Sequence, residues 1–187
     1  DDINSSNKYY LDNDIAVIYK KPTPIKVVKV DYNKRINTKI TEAYYEIPST
    51  TDYNGIYKGK YIDFEAKETK SKTSFSLNNI HKHQIDHLIK IHQYTCDVWK
   101  NGSKYLYFYT LHHLIKVKNH GGISFLIIRF TTINKTFLLE TQKLEEFLYN
   151  NERKSIPLSY INDNGYLINE NYNPRLEYIK IVDEIMI

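Results

Sequence analysis

YIDFEAKE at residues 61–68 is the stretch that decides the fold, because its apolar and polar side chains alternate. Successive side chains of a β-strand point to opposite faces of a sheet, so the apolar residues at 62, 64 and 66 are predicted to face a hydrophobic core. Asp63, Glu65 and Lys67 then share the other face. The pattern predicts a strand that carries two carboxylates and an ammonium group side by side.

The residues before this stretch predict a basic two-stranded arm. Residues 13–21 indicate a strand, which Pro22 and Pro24 interrupt because proline cannot donate to a strand ladder. IKVVKV at 25–30 largely alternates apolar with basic residues, as a half-exposed strand does. A return strand is expected within 38–47, so the two strands together form an arm with basic side chains along it.

The residues on either side of the 61–68 stretch predict strands that alternate with helices. DYNG at 52–55 indicates a turn. GGISFLIIRF at 121–130 is typical of a strand covered on both faces. A helix is predicted from about Ile80, capped by Asn78 or Asn79, with Ile85, Leu88 and Ile89 on its buried face. The later elements predicted are a strand at 137–139, a helix around Leu144, Phe147 and Leu148, and a helix or irregular packing segment from Pro174. The class is therefore α/β with a mixed sheet.

Composition limits the classes of protein that this sequence can encode. A chain of 187 residues suits one domain spanning 1–187, and its single cysteine, Cys96, excludes an internal disulfide and a cysteine-based zinc site. The apolar runs are too short to cross a bilayer, which favours a cytoplasmic protein without a membrane partner. Glycine-rich phosphate loops are absent, which argues against an ATP- or NAD-binding enzyme. The sole methionine is Met186, so an N-terminal segment is expected to precede residue 1.

Charge is unevenly distributed along the chain. The net charge is only +4, but residues 19–40 hold seven basic residues against the single acid Asp31. From Phe137 onward five basic residues face nine acidic ones. This distribution favours a localised site for a polyanion. A solvated, lysine-rich hairpin without a partner is the alternative that charge alone leaves open.

Asp52, Glu65 and Lys67 form the constellation that can carry chemistry. Mg²⁺ prefers oxygen ligands and usually binds one or two carboxylates together with several waters. Asp52 and Glu65 are expected to meet across a hairpin, with Lys67 near the phosphate, which is the outline of a phosphodiester hydrolase. Gln84 on the next helix is a candidate further ligand. The ordinary alternatives are a turn aspartate, a solvent-facing Glu-x-Lys pair and a surface glutamine.

Histidines are too scattered to predict a metal site. His83 and His87 are spaced i, i+4 on the predicted helix, but the sequence contains no His-Glu-x-x-His motif. We interpret them as histidines on the helix surface.

Several segments together resemble one known family. They are KKPTPIKVVKVDYNKR (20–35), PSTTDYNGIYKGKYIDFEAKETK (48–70), SFSLNNIHKHQIDHL (74–88), GGISFLIIRF (121–130) and NPRLEYIKIVDEI (173–185). These segments look like the RecU family, bacterial Holliday junction resolvases of the PD-(D/E)xK nuclease superfamily. The resemblance implies a restriction-endonuclease-like core, in which a central mixed β-sheet is flanked by helices and carries a protruding β-stalk.

The resemblance also implies an activity and roles for individual residues. The activity is that of a Mg²⁺-dependent homodimer, with Mn²⁺ as an alternative metal, that nicks two opposed strands of a four-way DNA junction in recombination and repair. Asp52 and Glu65 match the metal-binding carboxylates, Thr50 and Gln84 match auxiliary metal-site positions, and Lys67 matches the lysine that stabilises the transition state. Recombinase and branch-migration proteins are implied as further partners.

The family's stalk, which enters the centre of the junction, corresponds to residues 20–47 of this sequence. Its bases would bind phosphates, which gives affinity that depends on salt and little on sequence. The DNA-binding residues implied in this way are Lys20, Lys21, Lys26, Lys29, Lys34, Arg35 and Lys39.

Two departures from the family pattern affect what we expect. The family's basic tail and an acidic residue would fall before Asp1, so this segment alone is expected to bind or cleave DNA less well. Residues 87–112, which lie between two His-Leu-Ile-Lys copies, are predicted to be an insertion.

Three functions remain open on the sequence. The first is the junction-resolving nuclease, which the retained Asp52, Glu65 and Lys67 favour. The second is a non-catalytic factor that binds junctions and modulates a recombinase. The third is a less selective endonuclease that acts on flaps or forks.

Overall fold

A six-stranded mixed sheet lies at the centre of the computed structural model, which describes residues 1–32, 38–45, 50–96 and 122–186. The strands in chain order are β1 (Val17–Lys20), β2 (Ile25–Asp31), β3 (Lys39–Tyr45), β4 (Tyr53–Tyr57), β5 (Lys60–Thr69), β6 (Ser74–Ser76), β7 (Ile123–Phe130), β8 (Lys135–Glu140), β9 (Ser155–Pro157) and β10 (Tyr166–Leu167). The central sheet has the order β1-β4-β5-β7-β8-β10, in which only β5 and β7 run parallel. This confirms the predicted mixed sheet.

Five described α-helices flank this sheet. They are α1 (Asp2–Asp12), α2 (Lys82–Cys96), α3 (Thr141–Asn150), α4 (Leu158–Asn164) and α5 (Tyr178–Ile185). Side chains of α1 and α5 pack with one face of the sheet, and those of α2, α3 and α4 pack with the other face. The α/β class with helices on both faces is therefore confirmed, while the restriction-endonuclease-like classification stays a prediction.

β7 is the central buried strand that its composition predicts. Phe125 and Ile127 belong to the core on the α1 and α5 side, and Leu126 and Ile128 belong to the core on the α2 and α3 side. All four are almost inaccessible to solvent. A strand covered on both faces needs an uninterrupted apolar sequence, and β7 has one.

The alternation predicted for β5 is present, but both of its faces are buried. The ring of Phe64 stacks between Tyr53 at 4.9 Å and Phe125 at 4.7 Å, which ties β4, β5 and β7 together on one face. On the opposite face, Asp63 and Glu65 are also fully buried. The carboxylates therefore face the α2 side of the protein and not open solvent.

The turn predicted at DYNG is wrong, because Tyr53, Asn54 and Gly55 lie within β4. The β4–β5 hairpin turns instead at Lys58 and Gly59, which both have positive φ, as a two-residue hairpin turn requires. Gly55 has a different reason to be glycine. A Cβ there would lie 2.1 Å from the carbonyl oxygen of Val17, so only glycine lets β1 approach this closely.

The predicted start of the second helix is also wrong. Asn78 and Asn79 lie in a 3₁₀ turn, and α2 begins at Lys82. The side chain of Gln84 accepts a hydrogen bond from the backbone N–H of His81 at 3.1 Å, which is one half of a capping box. The buried stripe is confirmed, since Leu88 is fully buried and Ile85 packs beside it.

α1 was not predicted. Its buried residues are Ser6, Asn7 and Tyr10, which hydropathy does not identify as a core face. Ser6 accepts a hydrogen bond from the backbone N–H of Leu176 at 2.8 Å, and Tyr10 donates to the Leu176 carbonyl at 2.6 Å. Polar contacts of this kind attach the helix to the C-terminal segment.

β2 and β3 pair antiparallel as a separate two-stranded sheet whose side chains are almost all exposed. Both predicted strands are therefore present, and the identity of this pair as a DNA-entering stalk stays a prediction. Lys34 and Arg35 lie outside the described residues, as do residues 97–112 of the predicted insertion. Within the described ranges, no helix has the length and apolarity needed to cross a membrane.

Replacement of Gly55 by alanine is expected to destabilise the protein by about 1–3 kcal/mol, because the new methyl group forces β1 away from β4. Gly59→Asn is the control, since Gly59 has free space around it and asparagine tolerates positive φ. Urea unfolding followed by circular dichroism measures both. Equal stability of Gly55→Ala and wild type would contradict the packing described for β1.

Candidate active site

Asp52, Glu65 and Lys67 come together at the start of the β4–β5 hairpin. Tyr53 pairs with Phe64, so Asp52 lies beside Glu65, and the backbone N–H of Asp52 donates to Glu65 Oε2 at 3.0 Å. The backbone N–H of Ala66 donates to Asp52 Oδ2 at 3.3 Å. Lys67 forms an ion pair with Glu65 Oε1. The three residues singled out by their spacing therefore form one cluster, whereas their catalytic roles remain predictions.

Gln84 joins this cluster from α2. Its Nε2 donates to Glu65 Oε1 at 2.8 Å, while its Oε1 is occupied by the backbone N–H of His81. The amide is buried and holds the N-terminus of α2 against β5. In this arrangement Gln84 orients the carboxylate of Glu65.

Thr50, the other predicted auxiliary position, is exposed, and it is the next residue, Thr51, that is buried against the strand. The metal role of Thr50 therefore stays a prediction.

Asp63 forms a second buried carboxylate site two residues before Glu65. Its oxygens accept hydrogen bonds from Thr51 Oγ1, from Lys21 Nζ at 2.7 Å and from Tyr61 Oη at 2.7 Å, and His87 Nε2 lies 3.3 Å away. Sequence reasoning placed Lys21 on the arm and His87 on a helix surface, and it gave Thr51 no role. The one available signal was that Asp63 shares a strand face with Glu65.

The two buried carboxylates differ in their pKa. Burial raises the pKa of Glu65, the hydrogen bond from Lys67 lowers it and the charge of Asp52 raises it, with a result of about 7. Burial also raises the pKa of Asp63, but the hydrogen bonds from His87, Lys21, Thr51 and Tyr61 outweigh it, so the pKa lies below its usual range. Asp63 is thus a satisfied anion, whereas the ion pair of Glu65 with Lys67 does not offset its burial and the nearby charge of Asp52.

The donor set around Glu65 fits a hard divalent cation. In the part of the chain that the structure describes, no group of three or more His, Cys, Asp or Glu side chains is arranged to hold a metal ion. Mg²⁺ does not require such a group, because it binds through one or two carboxylates and retains waters. Asp52 and Glu65 provide that pair, and the raised pKa of Glu65 indicates that a nearby positive charge would stabilise its ionised form.

The predicted DNA-binding bases occupy two environments. Lys20, Lys26, Lys29 and Lys39 are exposed. Lys29 lies opposite Glu42 in the register of the arm. Lys21 is different, because its ammonium group is bound to Asp63 and its side chain is only 16% exposed. Its contacts favour a role inside the protein over a contact with DNA phosphates.

Comparison with known proteins gives matches over nearly the whole chain. The family model described as Recombination protein U, RecU, matches residues 1–96 and 109–184. A Holliday junction resolvase RecU of Geobacillus sp. (strain WCH70) is 46% identical over 188 residues, which cover 99% of this chain and 81% of that relative. A Holliday junction resolvase RecU of Staphylococcus aureus (strain JH9) is 47% identical over 189 residues, which cover 100% of this chain and 78% of that relative. The family match leaves out residues 97–108, which fall within the segment predicted to be inserted.

Glu65 is expected to make stability depend on pH in metal-free buffer. Its folded-state pKa of about 7 exceeds the ordinary value of 4.5, so between these values the folded state holds a proton that the unfolded state has released. The free energy of unfolding of wild type should therefore fall, relative to that of Glu65→Gln, as pH rises from about 5 to about 8.

Urea unfolding at a series of pH values with EDTA measures this difference. Glu68→Gln is the matched control, because Glu68 is exposed on the same strand. A difference between wild type and Glu65→Gln that stays constant over this range would contradict the assigned environment of Glu65.

Proposed function

Because this chain belongs to the RecU family, Recombination protein U, and is a structure-selective endonuclease, we propose that it resolves Holliday junctions by Mg²⁺-dependent paired nicks in opposed strands. The observation that carries the proposal is the convergence of Asp52 and Lys67 on the buried carboxylate of Glu65. Two carboxylates beside an ammonium group suit the hydrolysis of a phosphodiester.

The carboxylates of Asp52 and Glu65 are the proposed holders of the cation, with Mn²⁺ as an alternative to Mg²⁺. When bound, the cation would polarise the phosphodiester and lower the pKa of a water molecule. Gln84 keeps the Glu65 carboxylate in one orientation through its 2.8 Å hydrogen bond. Thr50, an exposed residue two positions before Asp52, is retained as a proposed auxiliary position.

Lys67 is the proposed stabiliser of the transition state. Its side chain is 24% exposed, so the ammonium group can meet a phosphate at the surface while Glu65 fixes its position. Negative charge develops on the phosphate oxygens during hydrolysis, and a cation that is already in place stabilises this charge without reorganisation.

The arm formed by β2 and β3 is the proposed contact with the branched DNA. Exposed lysines bind phosphates without reading sequence, so selectivity would come from the shape of the junction and from the symmetry of a homodimer. Two active sites related by a two-fold axis match two opposed strands. Recombinase and branch-migration proteins are proposed as further partners, and the cytoplasm as the compartment.

Cleavage of a mobile four-way junction by the intact protein should require Mg²⁺ and should be lost in Asp52→Asn and Lys67→Ala. Removal of the charge-stabilising lysine is expected to lower the rate by about 10²–10³-fold. Gel assays of cleavage, with binding measured in EDTA, should show that both variants still bind the junction. Lys70→Ala, which changes an exposed lysine beyond the end of the same strand, is the matched control.

The same assay separates the alternatives. Tight binding by the intact protein with no cleavage under Mg²⁺ or Mn²⁺ would contradict the nuclease and favour the non-catalytic junction-binding factor. Equal cleavage of duplex, fork and junction would contradict junction selectivity and favour the less selective endonuclease.

Lys26→Ala/Lys39→Ala is expected to weaken junction binding and to make it less sensitive to salt. If each lysine neutralises one phosphate, the slope of log K against log salt should fall by about 2 per protomer, or about 4 for the proposed homodimer. Fluorescence anisotropy in EDTA measures the affinity for the junction at a series of salt concentrations. Lys8→Ala/Lys180→Ala removes the same charge from exposed lysines of α1 and α5 and is the matched control. An equal loss of slope in both double variants would contradict a specific role for the arm.

A further inference from the structure

Asp63 connects three parts of the chain that the proposed cation site requires. Its carboxylate is fully buried and takes donors from the end of β1, from the residue before Asp52, and from α2. An ionised group in this position costs free energy unless it is paired and hydrogen-bonded. Its hydrogen-bonding capacity is therefore committed to the protein and is not available to a ligand.

Lys21 carries the connection from Asp63 to the chain just before Asp52. Its Nζ donates to Asp63 Oδ2 at 2.7 Å and to Thr51 Oγ1 at 2.6 Å. Its backbone N–H donates to the carbonyl oxygen of Asp52 at 2.8 Å. One residue thus holds both the side chain of Thr51 and the main chain of Asp52.

Thr51 completes a set of three hydrogen bonds with Asp63 and Lys21, because its hydroxyl donates to Asp63 while it accepts from Lys21. The main chain at 51–52 is therefore fixed on one side by Asp63 and on the other by the hydrogen bond from the Asp52 N–H to Glu65. β4 begins only at Tyr53, and before it the main chain at 51–52 keeps one backbone hydrogen bond, from the Lys21 N–H to the Asp52 carbonyl. The position of this segment therefore depends on that bond together with the side-chain contacts of Asp63 and Glu65.

We propose that Asp63 is a positioning residue that, through Lys21 and Thr51, holds Asp52 beside Glu65 and so keeps the two carboxylates ready for a divalent cation. The inference rests on the proposed function, because it concerns the same cation site. Lys21 also directly precedes Pro22 and the arm, so the contact that positions Asp52 fixes the base of the arm as well.

Thr51→Val and Thr51→Ser are the matched pair of variants that tests this inference. Valine keeps the shape of threonine and removes the hydroxyl, whereas serine keeps the hydroxyl. Titration of the metal-free protein with Mn²⁺, followed by electron paramagnetic resonance, measures the affinity without cleavage. We expect Thr51→Val and Asp63→Asn to bind Mn²⁺ about tenfold more weakly, and Thr51→Ser to bind within about twofold of wild type.

A second variant separates positioning from stability. Lys21→Met/Asp63→Leu replaces the buried ion pair with apolar side chains of similar size, which is expected to preserve folding. Thermal unfolding should show one cooperative transition at a Tm closer to that of wild type than the Tm of Asp63→Asn, but the affinity for Mn²⁺ should remain about tenfold reduced, because Thr51 has lost both of its partners. If Lys21→Met/Asp63→Leu instead bound Mn²⁺ with wild-type affinity, the inference would be overturned.

Asp52→Asn distinguishes failure of the inference from failure of the proposed function. If Asp52→Asn loses Mn²⁺ binding while Thr51→Val and Asp63→Asn keep wild-type affinity, the inference alone is overturned. If wild type and Asp52→Asn bind Mn²⁺ equally, the proposed function fails and the inference fails with it.

Discussion

Two carboxylates, those of Asp63 and Glu65, are removed from water on one face of β5, and the surrounding arrangement follows from this constraint. A buried anion must be neutralised and hydrogen-bonded, or it takes up a proton. Asp63 has enough donors to remain ionised. For Glu65, burial and then the charge of Asp52 outweigh the hydrogen bond from Lys67, so its pKa rises to about 7. This contrast supports the different tasks proposed for the two groups, in which Asp63 organises the protein and Glu65 binds a cation.

The parts of the structure that sequence predicted are those governed by periodicity. The alternation of apolar and polar residues along 61–68 predicted which side chains of β5 face the core. The continuous apolar run at 121–130 predicted that β7 is covered on both faces. Spacing along a hairpin also brought Asp52 next to Glu65, because two strands joined by a short turn can meet in few registers. The site residues found in this way all lie on or beside one hairpin or on the helix that follows it.

The parts that sequence did not predict depend on contacts between distant residues. α1 is held through polar groups such as Ser6 and Asn7, so its buried face carries no hydrophobic signal. Gly55 seemed to mark a turn, but it is glycine because β1 crosses close to it. Three partners of Asp63 come from the residue after β1, from the segment before β4 and from α2, and no local pattern relates these positions.

The central claim is that Asp52 and Glu65 bind one divalent cation beside Lys67. The most direct measurement is the anomalous difference map of crystals of the intact protein soaked in Mn²⁺. The account predicts a peak at about 2.0–2.3 Å from a carboxylate oxygen of each acid, and no such peak in Glu65→Gln. A peak elsewhere, with the Glu65 carboxylate still held by Lys67, Gln84 and the Asp52 N–H, would contradict it.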